Sequence, residues 1–325
     1  MEFGAVPLAQ AEGAILAHSQ AVAGGRLKKG QVLTRAHLQQ LQQAGLRQVV
    51  VARLGRDDIG EDAAAMRLGE ALVAPGLRLA RATGGRANLY AQTPGVLEVA
   101  RARILALNQV EAMITLATLP EWAETRADTL VATVKIIAYG VAQSALERAC
   151  ALAQGALILH PARLRKAVLI QTGPPGALID KGRRALASRL ARFDAELADH
   201  RLVAHDVAPL AAALRAASAE VLFILTASAT SDIRDIAPEA LRQAGGRVIH
   251  FGMPVDPGNL LFVGELNRRP VIGLPGCARS PALNGADWVI ARILCGLSLT
   301  GADIAAMGVG GLLKEMPTRP QPRER

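Results

Sequence analysis

The stretch EVLFILTASATSDIRDIAPEALRQAGG, residues 220–246, carries the pattern from which we predict the fold class. It begins with a continuous apolar run, which is typical of a strand buried on both faces of a sheet. A polar loop follows, and the last part reads as a helix that ends in glycine, as helices commonly do. A strand, a loop and a helix in this order indicate a βα unit, from which parallel sheets covered by helices are built.

The same pattern recurs on both sides of this stretch. The run KAVLIQTG (166–173) predicts another buried strand, and the segment after it places Leu186, Leu190 and Phe193 at helical spacing, with Asp180 as a candidate N-cap. Three short strand-like runs and a closing helix, LNGADWVIARILCGL, complete the second half. We therefore predict a largely parallel sheet covered on both faces, with a hairpin-like edge.

A chain of 325 residues favours two domains. We predict a smaller N-terminal α/β domain over residues 1–160, interrupted by a polar break at residues 82–92. A three-layer α/β domain with a parallel, mixed-edge sheet is predicted over residues 161–315. The proline-rich residues 316–325 are predicted to be a disordered tail.

The basic composition does not point to nucleic acid. The formal net charge is +9, but the arginines are spread along helices, and aromatic residues, at 3%, form no alternating stripe with them. We expect most of this charge to be solvated. Part of it favours the attraction of a phosphorylated small molecule, since net positive potential steers anions.

The composition also predicts a cytoplasmic protein. The longest apolar runs fall short of the roughly 18 residues that a membrane span needs. The N-terminus lacks a basic region followed by an apolar core, so we predict no signal peptide. The cysteines Cys150, Cys277 and Cys295 are widely spaced and read as free thiols in a reducing compartment.

Four polar loops follow the predicted strands of the second half. They are TGPPGALID (172–180), TASATSDIRD (226–235), MPVDPGN (253–259) and LPGCARSP (274–281). In doubly wound sheets, ligands bind outside the carboxyl ends of the strands. We therefore expect the four loops to converge at one edge of the sheet and to line one pocket.

The loops supply small, hydroxyl and acidic residues, which suit a phosphorylated ligand. Glycines let the backbone approach a ligand, N–H groups at helix starts and near Gly276 and Ser280 favour phosphate, and carboxylates hold an N–H edge or a phosphate-bound metal ion. Asp180 and Asp235 are the candidate catalytic residues. The candidate ligand-binding residues are Thr172, Gly173, Gly176, Ser228, Thr230, Ser231, Asp232, Pro257, Gly258, Pro275, Gly276, Arg279 and Ser280.

Each of these residues also has a purely structural interpretation. The two aspartates can be helix N-caps, Gly258 and Gly276 can be turn glycines, and Arg279 can be a solvated loop residue. His205 and His250 lie in apolar strand contexts, and we predict that they pack in the core.

The order of the four loops resembles the molybdopterin-binding domain shared by molybdopterin adenylyltransferases and molybdopterin molybdotransferases. In that family a strand ends in a Thr-Gly loop and an aspartate opens the next helix, positions that Thr172, Gly173 and Asp180 match. A later glycine-serine loop closes with aspartate, and here Thr230 and Asp235 stand at the serine and aspartate positions. The resemblance implies a ligand of the molybdopterin type.

The Pro-Gly turn (257–258) and the Leu-Pro-Gly loop (274–276) continue this order, and the resemblance covers about residues 165–300. The segment KKGQVLTRAHLQQLQQAGLRQVVVARL near the N-terminus resembles part of the molybdotransferase architecture. The whole chain looks most like bacterial molybdopterin-binding proteins that are often fused to a molybdenum cofactor nucleotidyltransferase. The phosphate loop of that nucleotidyltransferase, LAAGxSxRMG, is absent from these residues.

Two departures from the family pattern favour binding over catalysis. Ala227 and Ser228 replace the paired glycines of the glycine-serine loop, and Gly182 lies near the place of a family asparagine. Side chains then occupy space in which the family holds bare backbone against phosphate. Transfer reactions need tightly placed phosphates and Mg²⁺.

We therefore expect a protein that binds molybdopterin or its nucleotide form in molybdenum cofactor biosynthesis or maturation. Two alternatives stay open, an active adenylyltransferase or molybdotransferase that uses Mg²⁺ and a nucleotide, and an inert oligomerisation or interaction module. A molybdenum cofactor nucleotidyltransferase is the expected protein partner. The resemblance also implies a homo-oligomer.

Overall fold

The computed structural model describes residues 1–313, which form two compact units. The first unit comprises Met1–Gln92 and Leu97–Leu159. The second comprises Thr93–Val96 and the chain from His160 onward. The predicted disordered tail, residues 316–325, lies outside the described residues.

Up to residue 161 the chain forms mainly short strands with four α-helices between them in the described residues. The strands are β1 (Glu2–Pro7), β2 (Ile15–Leu16), β3 (Gln20–Val22), β4 (Gly25–Leu27), β5 (Gln48–Arg53), β6 (Asp58–Gly60), β7 (Leu77–Leu79), β8 (Arg86–Ala91), β9 (Gly95–Val99), β10 (Ile114–Thr118), β11 (Ala123–Thr125), β12 (Leu130–Ile136), β13 (Gly140–Ala142) and β14 (Leu157–Pro161). The helices are α1 (Arg35–Gln43), α2 (Glu61–Leu72), α3 (Arg101–Asn108) and α4 (Gln143–Ala153).

From residue 166 onward strands and helices alternate. The strands are β15 (Lys166–Thr172), β16 (Glu196–Val203), β17 (Val221–Leu225), β18 (Arg247–Phe251), β19 (Phe262–Leu266) and β20 (Arg269–Gly273). The helices are α5 (Ala177–Ala191), α6 (Val207–Ala216), α7 (Ile236–Gln243), α8 (Gly285–Leu294) and α9 (Gly301–Ala306), and a 3-10 turn spans Gly276–Arg279.

The strands of the first unit pair antiparallel in its larger sheets. β1, β5 and β2 form one sheet, and β10, β12, β8 and β7 form another. Helices α2, α3 and α4 bury Leu68, Leu107 and Leu146 in the core of this unit. The polar break predicted at residues 82–92 is wrong, because β8 lies within it and pairs with two strands. Every second residue of β8 is buried in the core and the residues between them are not, so the strand is amphipathic rather than continuously apolar.

The sheet of the second unit has the order β16-β15-β17-β20-β19-β18. β16, β15, β17 and β20 are parallel, while β19 runs antiparallel to both of its neighbours. This confirms the parallel sheet with a mixed edge. β17 is buried over its whole length, as its continuous apolar run predicts for a central strand.

Helices cover both faces of this sheet, which gives the predicted three layers. On one face, Leu210 of α6 and Leu241 of α7 pack with Val168 and Leu222 of the sheet. On the other face, Gly182 of α5 lies against Gln171 and Leu225. Successive residues of β15 and β17 therefore point to opposite faces of the sheet, as strand geometry requires.

All four predicted loops leave the same edge of this sheet. The loops after β15, β17 and β20 follow the carboxyl ends of parallel strands. The loop between β18 and β19 leaves the same edge, because Phe251, Phe262 and Gly273 are paired in one row across β18, β19 and β20 there. β15 and β20 flank β17, so their loops start about 10 Å apart by the usual strand spacing.

Among the described residues, no helix is long and apolar enough to cross a membrane. The three cysteines are free thiols in the structure.

Candidate ligand-binding site at the carboxyl edge of the sheet

The N-terminus of α5 supplies open backbone N–H groups to this edge. Gly176 is the N-cap residue, and its φ of 153° lies in the region that favours glycine. The N–H groups of Ile179 and Asp180 both bond to the carbonyl of Gly176, whereas those of Ala177 and Leu178 have no partner in the described structure. Asp180 therefore lies in the first turn, and its predicted role as N-cap is wrong. The exposed start of this helix is suited to an anion.

The loop after β17 is braced from within. The Thr226 hydroxyl donates to the carbonyl of Ser228, at 2.7 Å, and lies 3.3 Å from the hydroxyl of Thr230. Thr230 is buried, so this candidate ligand-binding residue points into the loop. Ser228 and Ser231, by contrast, are exposed at the edge.

Asp235 closes this loop and caps the next helix. Its Oδ1 accepts a hydrogen bond from the Ile236 N–H at 2.7 Å, and its Oδ2 accepts one from the Ser231 N–H at 3.0 Å. Asp235 is thus the N-cap of α7, and it also fixes the loop on which Ser231 lies. Both oxygens keep a lone pair that the backbone does not use.

The other two aspartates of the site are exposed. Oδ1 of Asp180 lies 3.9 Å from the guanidinium of Arg183 one turn later. Oδ1 of Asp232 accepts from the backbone and side chain of Arg234, and these bonds lower the pKa of Asp232. In the described part of the chain, no cluster of three or more His, Cys, Asp or Glu side chains is placed to hold a metal ion.

Arg279 brings a positive charge to the edge between β17 and β20. It reaches across to donate to the carbonyl of Thr226 at 2.6 Å, and its Nε is buried without a hydrogen-bond partner. Within residues 1–313 it forms no salt bridge. Burial lowers the pKa of the guanidinium, which nevertheless stays charged at neutral pH.

The loop after β20 is held by Arg189, which comes from α5. Its guanidinium donates to the carbonyls of Ala278, Ser280 and Ala282 at 2.9, 2.8 and 3.1 Å. The N–H of Ser280 donates to the carbonyl of Cys277 at 2.9 Å, so this N–H is already used within the loop, and a role of Ser280 in phosphate binding stays a prediction. Gly276 is exposed beside Arg279, and Pro275 is buried at the strand end.

The Pro-Gly turn between β18 and β19 packs against the start of α8. The carbonyl of Pro257 accepts a hydrogen bond from the Gly285 N–H at 2.8 Å. Gly258 has a φ of 141°, and a Cβ there would lie 2.7 Å from that same nitrogen. The close approach of the backbone of Gly285 therefore requires glycine at position 258. Gly258 acts as a turn glycine, which is the structural interpretation given for it from the sequence.

A histidine that the sequence placed in the core lies in the site instead. The ring of His205 has its Nδ1 2.8 Å from the Thr172 hydroxyl and its Nε2 2.9 Å from the Ser228 hydroxyl. It lies two residues after the end of β16 and is partly exposed, so the prediction of a packing residue is wrong. Gly173 adjoins Thr172, and a Cβ at this position would lie 3.1 Å from the Cβ of Ala227. The one sequence signal was the position of His205 just after a strand.

A separate cavity of about 740 Å³ lies at the opposite edge of the same sheet. Arg247, Glu265 and Arg269, at the other ends of their strands, are among its lining residues. None of the predicted site residues lines it. The candidate site is thus defined by the convergence of the loops and by their chemistry.

Comparison with known proteins identifies the class of this second unit. Residues 156–294 match the family model described as "Probable molybdopterin binding domain", and residues 5–53 match a model described as a domain of unknown function (DUF8806). No curated protein matches the chain.

Two solved structures are similar to the chain at low identity. One is the molybdopterin biosynthesis MoeA protein from Pyrococcus horikosii, at 14% identity and a TM-score of 0.34, over 91% of this chain and 75% of that one. The other is molybdenum cofactor biosynthesis protein B, at 13% identity and a TM-score of 0.29, over 41% of this chain and 91% of that one.

The chain carries a domain of the molybdopterin-binding family over residues 156–294. This confirms the family that the order of the loops predicted. The matched segment contains the whole six-stranded sheet and all four loops of the candidate site.

Proposed function

We propose that this chain binds molybdopterin, or a nucleotide form of it, and acts as a binding or carrier protein in molybdenum cofactor biosynthesis or maturation. The family of residues 156–294 supports this class of ligand. The observation that carries the proposal is Arg279, a half-buried cation with no ion-pair partner in the described chain, which lies on the loop after β20 and bonds to the end of β17.

The chemistry of the edge suits a phosphorylated ligand. A guanidinium binds phosphate oxygens through charge-assisted hydrogen bonds, which are stronger than neutral ones. The open N–H groups of Ala177 and Leu178 add the positive end of a helix to the same edge. Ser228 and Ser231 place exposed hydroxyls between these two groups of donors.

The state of the carboxylates favours binding over group transfer. Each carboxylate oxygen of Asp235 already accepts a hydrogen bond from a backbone N–H group, and Oδ1 of Asp232 accepts hydrogen bonds from Arg234. Catalysis of adenylyl transfer or metal insertion would need a metal ion held against phosphate at this edge. Mg²⁺ and a separate nucleotide co-substrate are therefore proposed only for the alternative in which the chain is an active transferase.

Binding can be measured by anaerobic equilibrium dialysis against molybdopterin, with the pterin detected by its fluorescence after oxidation. We expect saturable binding that Arg279→Gln weakens by about tenfold or more, the usual effect of losing a charged hydrogen bond. Arg268→Gln is the matched control, because Arg268 is exposed in the turn at the opposite edge of the sheet. Equal loss in both variants would contradict a specific anion site.

Adding Mg-ATP and molybdate distinguishes the candidate functions. A carrier returns the bound pterin unaltered, whereas an active transferase returns an adenylylated or metallated product. A folded wild-type chain that binds no pterin would leave the interaction module as the remaining interpretation. A nucleotidyltransferase partner is tested in the same assay by transfer of the bound pterin to that enzyme.

A further inference from the structure

Thr172, His205 and Ser228 form a continuous chain of hydrogen bonds across three loops. Thr172 ends β15, His205 follows β16, and Ser228 lies in the loop after β17. The distances from the imidazole are 2.8 Å to the Thr172 hydroxyl and 2.9 Å to the Ser228 hydroxyl. The direction in which each hydrogen points follows from the environment of Thr172.

Thr172 is fully buried, and its hydroxyl oxygen already accepts a hydrogen bond from the Ala227 N–H at 3.0 Å. A buried hydroxyl hydrogen needs an acceptor, since leaving it unpaired is costly. Within the described structure, the acceptor within reach is Nδ1 of His205. The Thr172 hydroxyl therefore donates to Nδ1.

The tautomer of His205 is then determined. A neutral imidazole that accepts at Nδ1 carries its proton on Nε2, so Nε2–H donates to the oxygen of Ser228. Ser228 is exposed, and its own hydrogen is left to point away from the histidine into the site. Because every bond in the chain runs in the same direction, each donor polarises the next one.

We infer that Thr172, His205 and Ser228 form a directed hydrogen-bond relay that makes the Ser228 hydroxyl a preorganised donor to an anionic oxygen of the ligand. His205 is thereby a positioning residue of the site. The same direction excludes a serine nucleophile, because Nε2 is a donor here and cannot accept the serine proton. This inference rests on the proposed function for the identity of the ligand, a phosphorylated pterin.

The tautomer is tested in the free protein by nitrogen-15 NMR of labelled histidine, with the His205 signals assigned from a His205→Gln sample. At alkaline pH we expect the proton on Nε2 in the wild type and a mixture of tautomers in Thr172→Val, which removes the hydroxyl donor. Thr172→Ser, which keeps the hydroxyl, should restore the Nε2–H form. A proton on Nδ1 in the wild type would overturn the relay.

The effect on binding is tested with molybdopterin by the same dialysis. Ser228→Ala should weaken binding by about tenfold or more, as expected for a hydrogen bond to a charged group. His205→Gln can still donate to Ser228 and should stay within about threefold of wild type. His205→Asn reaches Thr172 but is too short for Ser228, and should weaken binding as much as Ser228→Ala. Equal affinities of the Gln and Asn variants would overturn the positioning role.

The two proposals fail in different ways. A wild type that has the Nε2–H tautomer but binds no molybdopterin defeats the proposed function. A wild type that binds molybdopterin with the proton on Nδ1 defeats the relay alone. Melting curves of all variants establish that the compared proteins are folded.

Discussion

Nε of Arg189 in α5 lies 3.0 Å from Oδ1 of Asp287 in α8, and both side chains are almost fully buried. The same carboxylate accepts a hydrogen bond from Arg192 and, through Oδ2, from the Asn284 N–H at the start of α8. Arg189 in turn holds the carbonyls of the loop after β20. This ion pair therefore connects two helices to the loop that carries Arg279.

Asp287→Asn is expected to destabilise the second unit strongly. It leaves the buried guanidinium of Arg189 and the partly buried one of Arg192 without their anion, and removing one partner of a buried pair costs about 3–5 kcal/mol. Glu239→Gln is the control, since Glu239 pairs with Arg242 at a partly exposed position and should change stability by about 1 kcal/mol or less. Urea unfolding of both variants gives the comparison, and equal losses would contradict the role of the buried pair.

Asp235 should affect ligand binding more than stability when it is changed to asparagine. Asp235→Asn keeps one acceptor oxygen for the cap of α7 but loses the bond from the Ser231 N–H, which should cost about 1 kcal/mol of stability, while molybdopterin binding weakens by about 1.5–3 kcal/mol. Asp235→Ala should lose the cap as well. Thr300→Ala removes the N-cap of α9 and serves as the control for capping alone. Unchanged affinity in Asp235→Asn would remove this residue from the site.

Gly182→Ala is expected to lower the stability of the second unit, although alanine is the better helix former. A Cβ at this position would lie 2.7 Å from Nε2 of Gln171 and 2.7 Å from a methyl group of Leu225. Overpacking of this kind costs about 1–3 kcal/mol. The exposed Ser188 of the same helix offers the control Ser188→Ala, which should not destabilise. A Gly182→Ala variant that melts at the wild-type temperature or above would contradict the close packing.

His200 should make the protein less stable in mild acid. Burial lowers the pKa of His200 below its ordinary value of 6.5, helped by the nearby charge of Arg183 and opposed by Asp180 and Asp199. The unfolded chain then binds the proton more readily than the folded one, so the contribution is present above 6.5 and is lost as the pH falls. The free energy of unfolding, measured at about pH 7.5 and pH 5.5, should fall less steeply in His200→Gln. An identical pH dependence of the free energy of unfolding in wild type and His200→Gln would contradict this role of His200.

A homo-oligomer stays a prediction of the family resemblance. Both β16 and β18 are edge strands of the six-stranded sheet, and edge strands present unpaired backbone groups to a partner. Light scattering should give at least twice the monomer mass of 34.0 kDa. A monomer mass throughout the micromolar range would contradict the prediction.

The amino-acid sequence by itself determined the order of strands, loops and helices in the second unit, because each apolar run and each glycine stop is a local signal. The run at residues 221–225 predicted the central strand, and the positions of the loops predicted the shared edge of the sheet. Local signals were weakest in the first unit, where the amphipathic strand β8 has a polar face and follows a Gly-Gly turn.

The tertiary structure alone decided which side chains meet at that edge. His205 contacts Thr172, 33 residues earlier, and Ser228, 23 residues later, and no periodicity relates positions so far apart. In the same way Arg279 reaches Thr226, 53 residues away, because their strands are neighbours in the sheet. Pattern and spacing describe the chain along one dimension, whereas the site is assembled by strand order and by the direction of each hydrogen bond.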